Sequence, residues 1–191
     1  MPDARRDERG VLGVPSASLL RLNRHTLSNI LVVGGAAAER SAIAGALHRY
    51  SRFRDRPFCV TRAGVYDGLL RRSLLSWLGH DASEPPLACE RGTLFVDDAC
   101  ALPEDIQRLL LVLARRLDGV PADAREGPGP SRLAAGSRVE PAEEVVSGRF
   151  IAELHDSLDK MTVHLGPPAS PPVLGRRTAR GSSRTPRAPT A

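Results

Sequence analysis

The sequence predicts an α/β domain in which helices cover both faces of a parallel sheet. Short apolar segments rich in Val, Ile and Leu alternate with longer segments in which apolar residues recur at helical spacing. The short segments are apolar throughout, which is typical of strands buried on both faces. The intervening helices are long enough to connect parallel strands by crossovers. These observations favour a three-layer architecture with one core.

Five strands and four helices are predicted in alternation. The strands are NILVVGG, RPFCVTRA, GTLFVDD, SRLAAGS and MTVHL. The helices are ERSAIAGALHRY, VYDGLLRRSLLSWLGH, LPEDIQRLLLVLARRL and EEVVSGRFIAELHDSL. The apolar positions on these elements predict the core, which comprises Ile43, Ala46, Leu47, Tyr50, Leu69, Leu70, Leu74, Trp77, Leu78, Phe95, Ile106, Leu109, Leu110 and Leu113.

The predicted domain lies between two irregular ends. We expect residues 1–15 to form a flexible arm, residues 16–168 the α/β domain and residues 169–191 a disordered tail. The tail is rich in Pro, Gly, Ser and Arg and lacks the large apolar residues that could offset the entropy cost of ordering it. The segment DGVPADAREGPGP is predicted to be a surface loop.

The excess of positive charge lies in the tail. The chain has 27 basic and 22 acidic residues, and five arginines with no acidic residue follow position 165. Residues 1–165 therefore carry 22 basic and 22 acidic groups, which argues against a large nucleic-acid interface on the folded part. The tail could make only weak, salt-sensitive and nonspecific contact with nucleic acid.

The sequence predicts a cytoplasmic protein without a membrane partner. No apolar run approaches the roughly 18 residues of a membrane span, and the charged opening MPDARRDERG is unlike a signal peptide. Cys59, Cys89 and Cys100 show no C-x-x-C spacing, so neither a disulfide framework nor a zinc site is favoured. We expect buried or idle thiols in a reducing compartment.

The segment ILVVGGAAAERS is similar to a strand followed by a phosphate-binding loop. The pattern G-x-x-x-x-G-K-[ST] places its second glycine, lysine and hydroxyl at Glu39, Arg40 and Ser41. Gly34 and Gly35 can supply the turn, but Glu39 would repel a triphosphate. We expect the alanines at 36–38 to be strained in such a loop. The alternative is a capped helix start that binds no ligand.

Asp97 and Asp98 end the third predicted strand. An acidic pair at this place can hold magnesium and polarise an attacking water. The same residues can instead form a turn or cap the next helix. The five histidines are scattered without ligand spacing and predict surface or satisfied core positions.

The order of these segments resembles the AAA+ domain of bacterial enhancer-binding proteins, the ATPases that remodel RNA polymerase carrying sigma-54. The resemblance runs from about Ile30 to Pro168. RGTLFVDDACALPEDIQRLLLVL is similar to G-G-T-L-F-L-D-E-I, then L-P and a Q-x-x-L-L-R-V-L helix. RLAAGS is similar to R-x-I-A-A-T-N, and GRFIAELHDSLDKMTVHLGPP to G-x-F-R-x-D-L-Y-Y-R-L-N-V followed by a strand and L-P-P.

This resemblance implies an AAA+ type P-loop NTPase core without the helical lid domain, with ATP and Mg²⁺ as ligands. The magnesium aspartate is Asp97, the catalytic glutamate is replaced by Asp98, and the sensing asparagine by Ser137. The implied nucleotide-binding residues are Gly34, Gly35, Arg40, Ser41 and Ser137.

Other features of that family are absent at the matching positions. Both arginines that act on a neighbouring subunit's nucleotide fall on Ile151 and Ser157, and Arg149 lies two residues before the first. The segment between His80 and Gly92 has no G-A-F-T-G-A loop, so direct contact with sigma-54 is not expected.

We therefore expect a regulatory or interaction module in transcription control, in which ATP binding is weak or lost and hydrolysis is lost. Its partner would be an intact AAA+ relative or the transcription machinery. The alternatives are a weakly active ATP-binding regulator of sigma-54-dependent transcription and a non-functional fragment of one. Loss of a single arginine finger can lower turnover by about 10³–10⁵-fold, which argues against the weakly active ATPase.

Overall fold

The computed structural model describes residues 20, 21, 23, 28–118 and 129–166. The expected arm at 1–15, most of the loop DGVPADAREGPGP and the expected tail at 169–191 lie outside the described residues.

Strands and helices alternate along the described chain. In order they are β1 (Ile30–Val33), α1 (Ala37–Arg49), β2 (Phe58–Arg62), α2 (Asp67–Trp77), β3 (Thr93–Asp97), a 3-10 turn (Ala99–Ala101), α3 (Glu104–Asp118), β4 (Arg132–Ser137), α4 (Pro141–Val146), α5 (Ala152–Leu158) and β5 (Thr162–His164).

The strands form one parallel sheet in the order β2-β3-β4-β1-β5. The predicted α/β fold class is confirmed. Because the strands are parallel, their carboxyl ends meet at one edge, where ligands bind in open α/β sheets.

Side chains from each strand enter two apolar clusters, one on each face of the sheet. Leu31 and Val33 of β1 join the cluster that contains residues of α2, α3 and α5. Ile30 and Val32 join the cluster on the other face, which contains residues of α1. Successive side chains point to opposite faces, and both faces are covered, so the strand is apolar at every position.

The segment EEVVSGRFIAELHDSL was predicted as one helix but forms parts of two. A turn separates α4 from α5, and Gly148 adopts φ 73° there. Buried Gln107 of α3 holds this turn through hydrogen bonds to the Arg149 carbonyl at 3.0 Å and from the Ile151 amide at 3.0 Å. A tertiary contact thus overrides the local helical pattern.

Two residues predicted for the core are exposed. Tyr50 is 53% exposed and Leu69 is 41% exposed. Tyr50 lies one residue beyond the end of α1, so it no longer follows the buried stripe of that helix. Leu69 lies in the first turn of α2, whose buried face is formed by Leu70 and Leu74.

A buried arginine connects the start of β4 to the residues that precede β1. Arg132 is fully buried, and its Nε donates to the Ser28 carbonyl at 2.9 Å while Nη2 donates to Asn23 Oδ1 at 2.5 Å. Burial lowers the pKa of Arg132 to about 10, so the guanidinium stays charged at neutral pH. Asn23 in turn donates to the Leu47 carbonyl at the end of α1.

His48 is a buried histidine in the same region. Its Nδ1 is hydrogen-bonded to Thr93 Oγ1 at 3.0 Å, and its ring lies 5.1 Å from that of Phe58. Burial is the main cause that lowers the pKa of His48, and the positive charges of Arg132 and Arg49 act in the same direction. His48 is therefore a buried core histidine with a hydrogen-bond partner, one of the two kinds of position predicted for the histidines.

We predict that the protein loses stability as the pH falls below about 6.5, the ordinary value for histidine. The folded-state pKa of His48 is lowered, so the unfolded chain binds the proton first. Neutral His48 therefore contributes stability above that pH, and the contribution declines on acidification. The measurement is the free energy of urea unfolding at about pH 7.5 and about pH 5.5. A His48→Gln variant, which does not titrate, should lose less stability over this interval; equal losses would contradict the assignment to His48.

Candidate functional site

Residues from the ends of all five strands meet at the carboxyl edge of the sheet. In spatial order they are Arg62 of β2, Asp97 of β3, Gly136 of β4, the Gly34–Gly35 loop after β1 and Leu165 after β5. Asp97 is paired with Arg62 in the β2–β3 register. The edge is therefore the candidate site that the positions of the loop and the acidic pair predict.

The loop after β1 turns at its two glycines. Gly34 has φ 84° and Gly35 has φ 61°, a region that favours glycine. Ala36 is extended, with φ −80° and ψ 156°, and α1 begins at Ala37. The expectation that these alanines are strained is wrong. The helix begins at Ala37, and the left-handed conformations of the loop fall on Gly34 and Gly35 alone.

Glu39 binds the backbone of this loop. Its Oε2 accepts a hydrogen bond of 2.6 Å from the Ala36 amide, as a carboxylate does in a helix cap. A β-carbon placed on Gly35 would lie 2.9 Å from the same oxygen and 2.8 Å from Leu165 Cδ1. The loop is thus covered by the side chains of Glu39 and Leu165. This matches the alternative of a capped helix start.

The Arg40 side chain lies beneath the loop and is only 4% exposed. Its Nη1 donates to the carbonyl oxygens of Gly34 at 3.2 Å and Gly35 at 2.9 Å. Its Nε donates to Asp97 Oδ1 at 2.6 Å, and Nη2 donates to Asp97 Oδ2 at 3.2 Å. Four hydrogen bonds therefore hold the guanidinium, and two of them form a bidentate pair with the carboxylate.

Asp97 accepts from a second arginine as well. Its side chain is 2% exposed, and Arg62 Nε lies 3.3 Å from Oδ2. Arg62 is half exposed, so this contact is weaker than the buried one. Both oxygens of Asp97 are therefore engaged by guanidinium groups.

Gly136 makes room for the pair between Arg40 and Asp97. It lies on β4, between the loop after β1 and the end of β3. A β-carbon at this position would lie 2.5 Å from Asp97 Oδ1 and 3.2 Å from Arg40 Nε. Any larger residue would have to displace the carboxylate.

The other predicted site residues are placed differently. Asp98 adopts the left-handed conformation at φ 59° and begins the 3-10 turn, and its Oδ2 lies 3.6 Å from Arg138 Nε. The buried Ser137 hydroxyl donates to the Val139 carbonyl at 2.7 Å. Ser41 is half-buried in α1. The structure thus brings Gly34, Gly35, Arg40 and Asp97 together, whereas the Ser137 hydroxyl is bonded to the backbone of Val139.

The positions matched to the trans-acting arginines carry no free cation in the described structure. Ser157 is buried and Ile151 is partly buried. Arg149 forms a bidentate pair with Glu144, at 2.6 and 2.7 Å. This hydrogen bond is the main cause that holds the pKa of Glu144 below its usual value. The Arg149 guanidinium therefore faces Glu144 on α4.

Sequence reasoning missed three residues of the site: Arg62, Gly136 and Leu165. A signal existed for Gly136, since a glycine inside an apolar strand marks a close approach of another group. Arg62 ends a predicted strand at the edge where ligands bind, which is a weaker signal. Nothing in the local pattern indicates that Leu165 lies against the loop.

The described residues contain neither a cluster of potential metal ligands nor a membrane-spanning helix. No group of three or more His, Cys, Asp or Glu side chains is arranged to hold a metal ion. Among the helices in the described ranges, none has the length and apolar character needed to cross a membrane.

This chain is similar in sequence to known transcriptional regulators. No family model matches the chain. NtrC, a DNA-binding transcriptional regulator of Escherichia coli strain K12, is 30% identical over 176 residues, covering 82% of this chain and 34% of NtrC. The sigma54-dependent transcriptional regulator SfnR of Pseudomonas fluorescens is 25% identical over 151 residues, covering 73% of this chain and 41% of SfnR. NtrC and SfnR are among several relatives of this chain that are sigma-54-dependent transcriptional regulators.

The sigma-54 regulator resemblance and the P-loop NTPase fold of AAA+ type are thereby confirmed. The P-loop NTPase domain of an Escherichia coli sigma-54 transport activator superposes with a TM-score of 0.52 at 18% identity, covering 78% of this chain and 89% of that domain. The chain spans about a third of the length of the curated relatives it matches.

We predict that Gly136→Ala destabilises the protein by roughly 1–3 kcal/mol, the usual cost of overpacking. The added carbon would collide with Asp97 Oδ1 and disturb its pair with Arg40. Gly68→Ala is a matched control, because that position on α2 has no neighbour within 4 Å and alanine favours a helix. Urea unfolding of both variants measures the difference; a neutral Gly136→Ala would show that the site is not tightly packed.

Proposed function

We propose that this chain is a sigma-54-activator-type domain that acts as a regulatory or interaction module in transcription control, without binding or hydrolysing ATP to any useful extent. One observation carries the proposal: the buried Arg40 guanidinium binds both the phosphate-loop carbonyls and Asp97. The groups that would serve a nucleotide are satisfied by the chain itself.

The cation of the loop, Arg40, is directed toward the interior of the chain. A phosphate loop needs a lysine that extends toward the outer phosphates. Arg40 instead donates inward to the carbonyls of Gly34 and Gly35 and to Asp97. Moving it toward a phosphate would break these hydrogen bonds and leave Asp97 without its buried partner, which costs several kcal/mol in comparable cases.

A phosphate anion would meet a loop amide that is already hydrogen-bonded. The Ala36 amide, which could approach a phosphate oxygen, already donates to the carboxylate of Glu39. A bound phosphate would have to displace this carboxylate and would then lie beside a negative charge. Leu165 also lies against Gly35, which narrows the approach to the loop.

The residue implied as the magnesium ligand is Asp97. Mg²⁺ binds carboxylate oxygens together with phosphates and water. Both oxygens of Asp97 are engaged by Arg40 and Arg62, and the carboxylate is almost fully buried. The residues present therefore do not fit a magnesium–nucleotide complex.

The remaining residues also favour loss of turnover. Asp98 forms a turn and faces Arg138, and the Ser137 hydroxyl is bonded to the chain's own backbone. Arg149 lies two residues before the position matched to the first trans-acting arginine, and it is paired with Glu144 of the same chain. We propose that the partner is an intact AAA+ relative or the transcription machinery, engaged through surfaces that do not require catalysis.

Titration with a fluorescent ATP analogue, with and without Mg²⁺, tests the proposal. We expect no saturable binding at concentrations up to about 1 mM, which corresponds to a binding free energy weaker than about −4.1 kcal/mol. The matched variant Glu39→Gly/Arg40→Lys replaces two positions of the loop by the residues of the phosphate-loop pattern and leaves Gly136 unchanged. It should bind the analogue at least about tenfold more tightly than the wild type. Tight, magnesium-dependent binding by the wild type would overturn the proposal in favour of a weakly active ATPase.

Asp97→Ala distinguishes the two functions by a second measurement. If Asp97 mainly neutralises Arg40, its removal leaves a buried unpaired charge and should destabilise the protein by roughly 3–5 kcal/mol. The exposed Asp55→Ala is the control and should change stability by less than about 0.5 kcal/mol. A measurable ATPase activity that Asp97→Ala abolishes, with little change in stability, would instead indicate a catalytic metal ligand.

A further inference from the structure

Two thiols from separate parts of the chain meet beside the edge strand of the sheet. Cys59 lies on β2, and Cys89 lies in the segment that leads into β3. Both are free thiols. Cys59 Sγ donates to the carbonyl of Ala88, the residue before Cys89, at 3.2 Å, and Cys59 packs against the apolar cluster that contains Cys89. The β2–β3 pairing fixes the two segments side by side.

The two sulfurs differ in access to solvent. Cys59 is partly exposed on an edge strand, and its hydrogen bond to Ala88 is solvent-exposed. Cys89 is fully buried and belongs to the apolar cluster between the sheet and α2. A small molecule from solvent can therefore reach Cys59, whereas Cys89 is closed to solvent.

The different exposure of the two thiols gives them different chemical roles. Cys59 is the sulfur that a solvent molecule can reach, so it is the attacking thiol, and buried Cys89 is the thiol that can resolve its oxidised form. The pKa directions agree with this assignment, since contact with the neighbouring thiol lowers the pKa of Cys59 and, together with burial, raises that of Cys89. The thiolate is the nucleophile in cysteine chemistry.

We propose that Cys59 and Cys89 form a reversible oxidation site that takes hydrogen peroxide or a small organic hydroperoxide and closes to an intrachain disulfide. The Cys59 thiolate attacks the peroxide O–O bond, which forms a sulfenic acid and releases hydroxide, or alkoxide from an organic peroxide. Cys89 sulfur then attacks the sulfenic sulfur, the S–S bond forms, and the hydroxyl group leaves as water with the Cys89 proton. With hydrogen peroxide, two thiols and one peroxide give one disulfide and two waters.

Cys100 provides an internal control for this chemistry. It is also a free thiol, but it is buried near Ser137 at the other end of the β3 segment. Burial raises the pKa of Cys100 to about 11. It lacks both an accessible sulfur and a neighbouring thiol, so it should remain reduced under conditions that oxidise Cys59.

The experiment treats the full chain with a small excess of hydrogen peroxide, unfolds it, alkylates the remaining thiols and maps the peptides by mass spectrometry. We expect two of the three thiols to become unavailable, a peptide that links Cys59 to Cys89, and full recovery of all three thiols after dithiothreitol. Cys100 should be alkylated throughout.

Two variants make the assignment specific. Cys59→Ser changes the partly exposed partner and should leave both remaining thiols alkylatable after peroxide. Cys89→Ser should leave Cys59 without a resolving thiol, so that it proceeds to sulfinic acid. Should Cys89→Ser fail to fold, the Cys59→Ser variant and the linked peptide of the wild type still decide the question. The proposal is wrong if the wild type keeps three alkylatable thiols, joins two chains, or forms a disulfide that includes Cys100.

Discussion

The buried ion pair between Arg40 and Asp97 is the contact on which the arrangement of this domain's ligand edge depends. It crosses the sheet from the loop after β1 to the end of β3, passing over β4. The pair can lie there only because β4 has a glycine at the crossing point. A buried pair of this kind is weak evidence of net stabilisation, since desolvation offsets much of its attraction, but removing one partner is costly. Its main effect is to fix the geometry of the loop.

The charges of this edge are balanced without a ligand. Glu39 and Asp97 carry two negative charges, and Arg40 and Arg62 carry two positive charges. A phosphate loop that serves a nucleotide leaves amides and a cation unmatched until the phosphates and metal arrive. Here the carboxylate of Glu39 takes the amide and the guanidinium of Arg40 takes the acid. The amide and the guanidinium of this turn are therefore paired within the chain.

Much of the fold could be predicted from the sequence because the strands are buried on both faces and the helices carry apolar stripes. The position of the candidate site could also be predicted, since Gly34, Gly35 and Asp97 follow strands that are parallel. The contacts within the site could not. Whether Arg40 extends outward to solvent or inward to Asp97 depends on the space left by Gly136 and on the reach of one side chain, and neither is encoded in local periodicity. The break between α4 and α5 likewise depends on Gln107, which lies far away in sequence.

The glycine on β4 couples two positions that lie far apart in the sequence. A β-carbon at 136 would lie 2.5 Å from Asp97 Oδ1 and 3.2 Å from Arg40 Nε, so the bidentate pair in its present place requires glycine there. In turn, a lysine at 40 cannot reproduce the two-pronged contact with Asp97. Substitutions at 40 and 136 should therefore be non-additive, because each of them changes the surroundings of the same carboxylate.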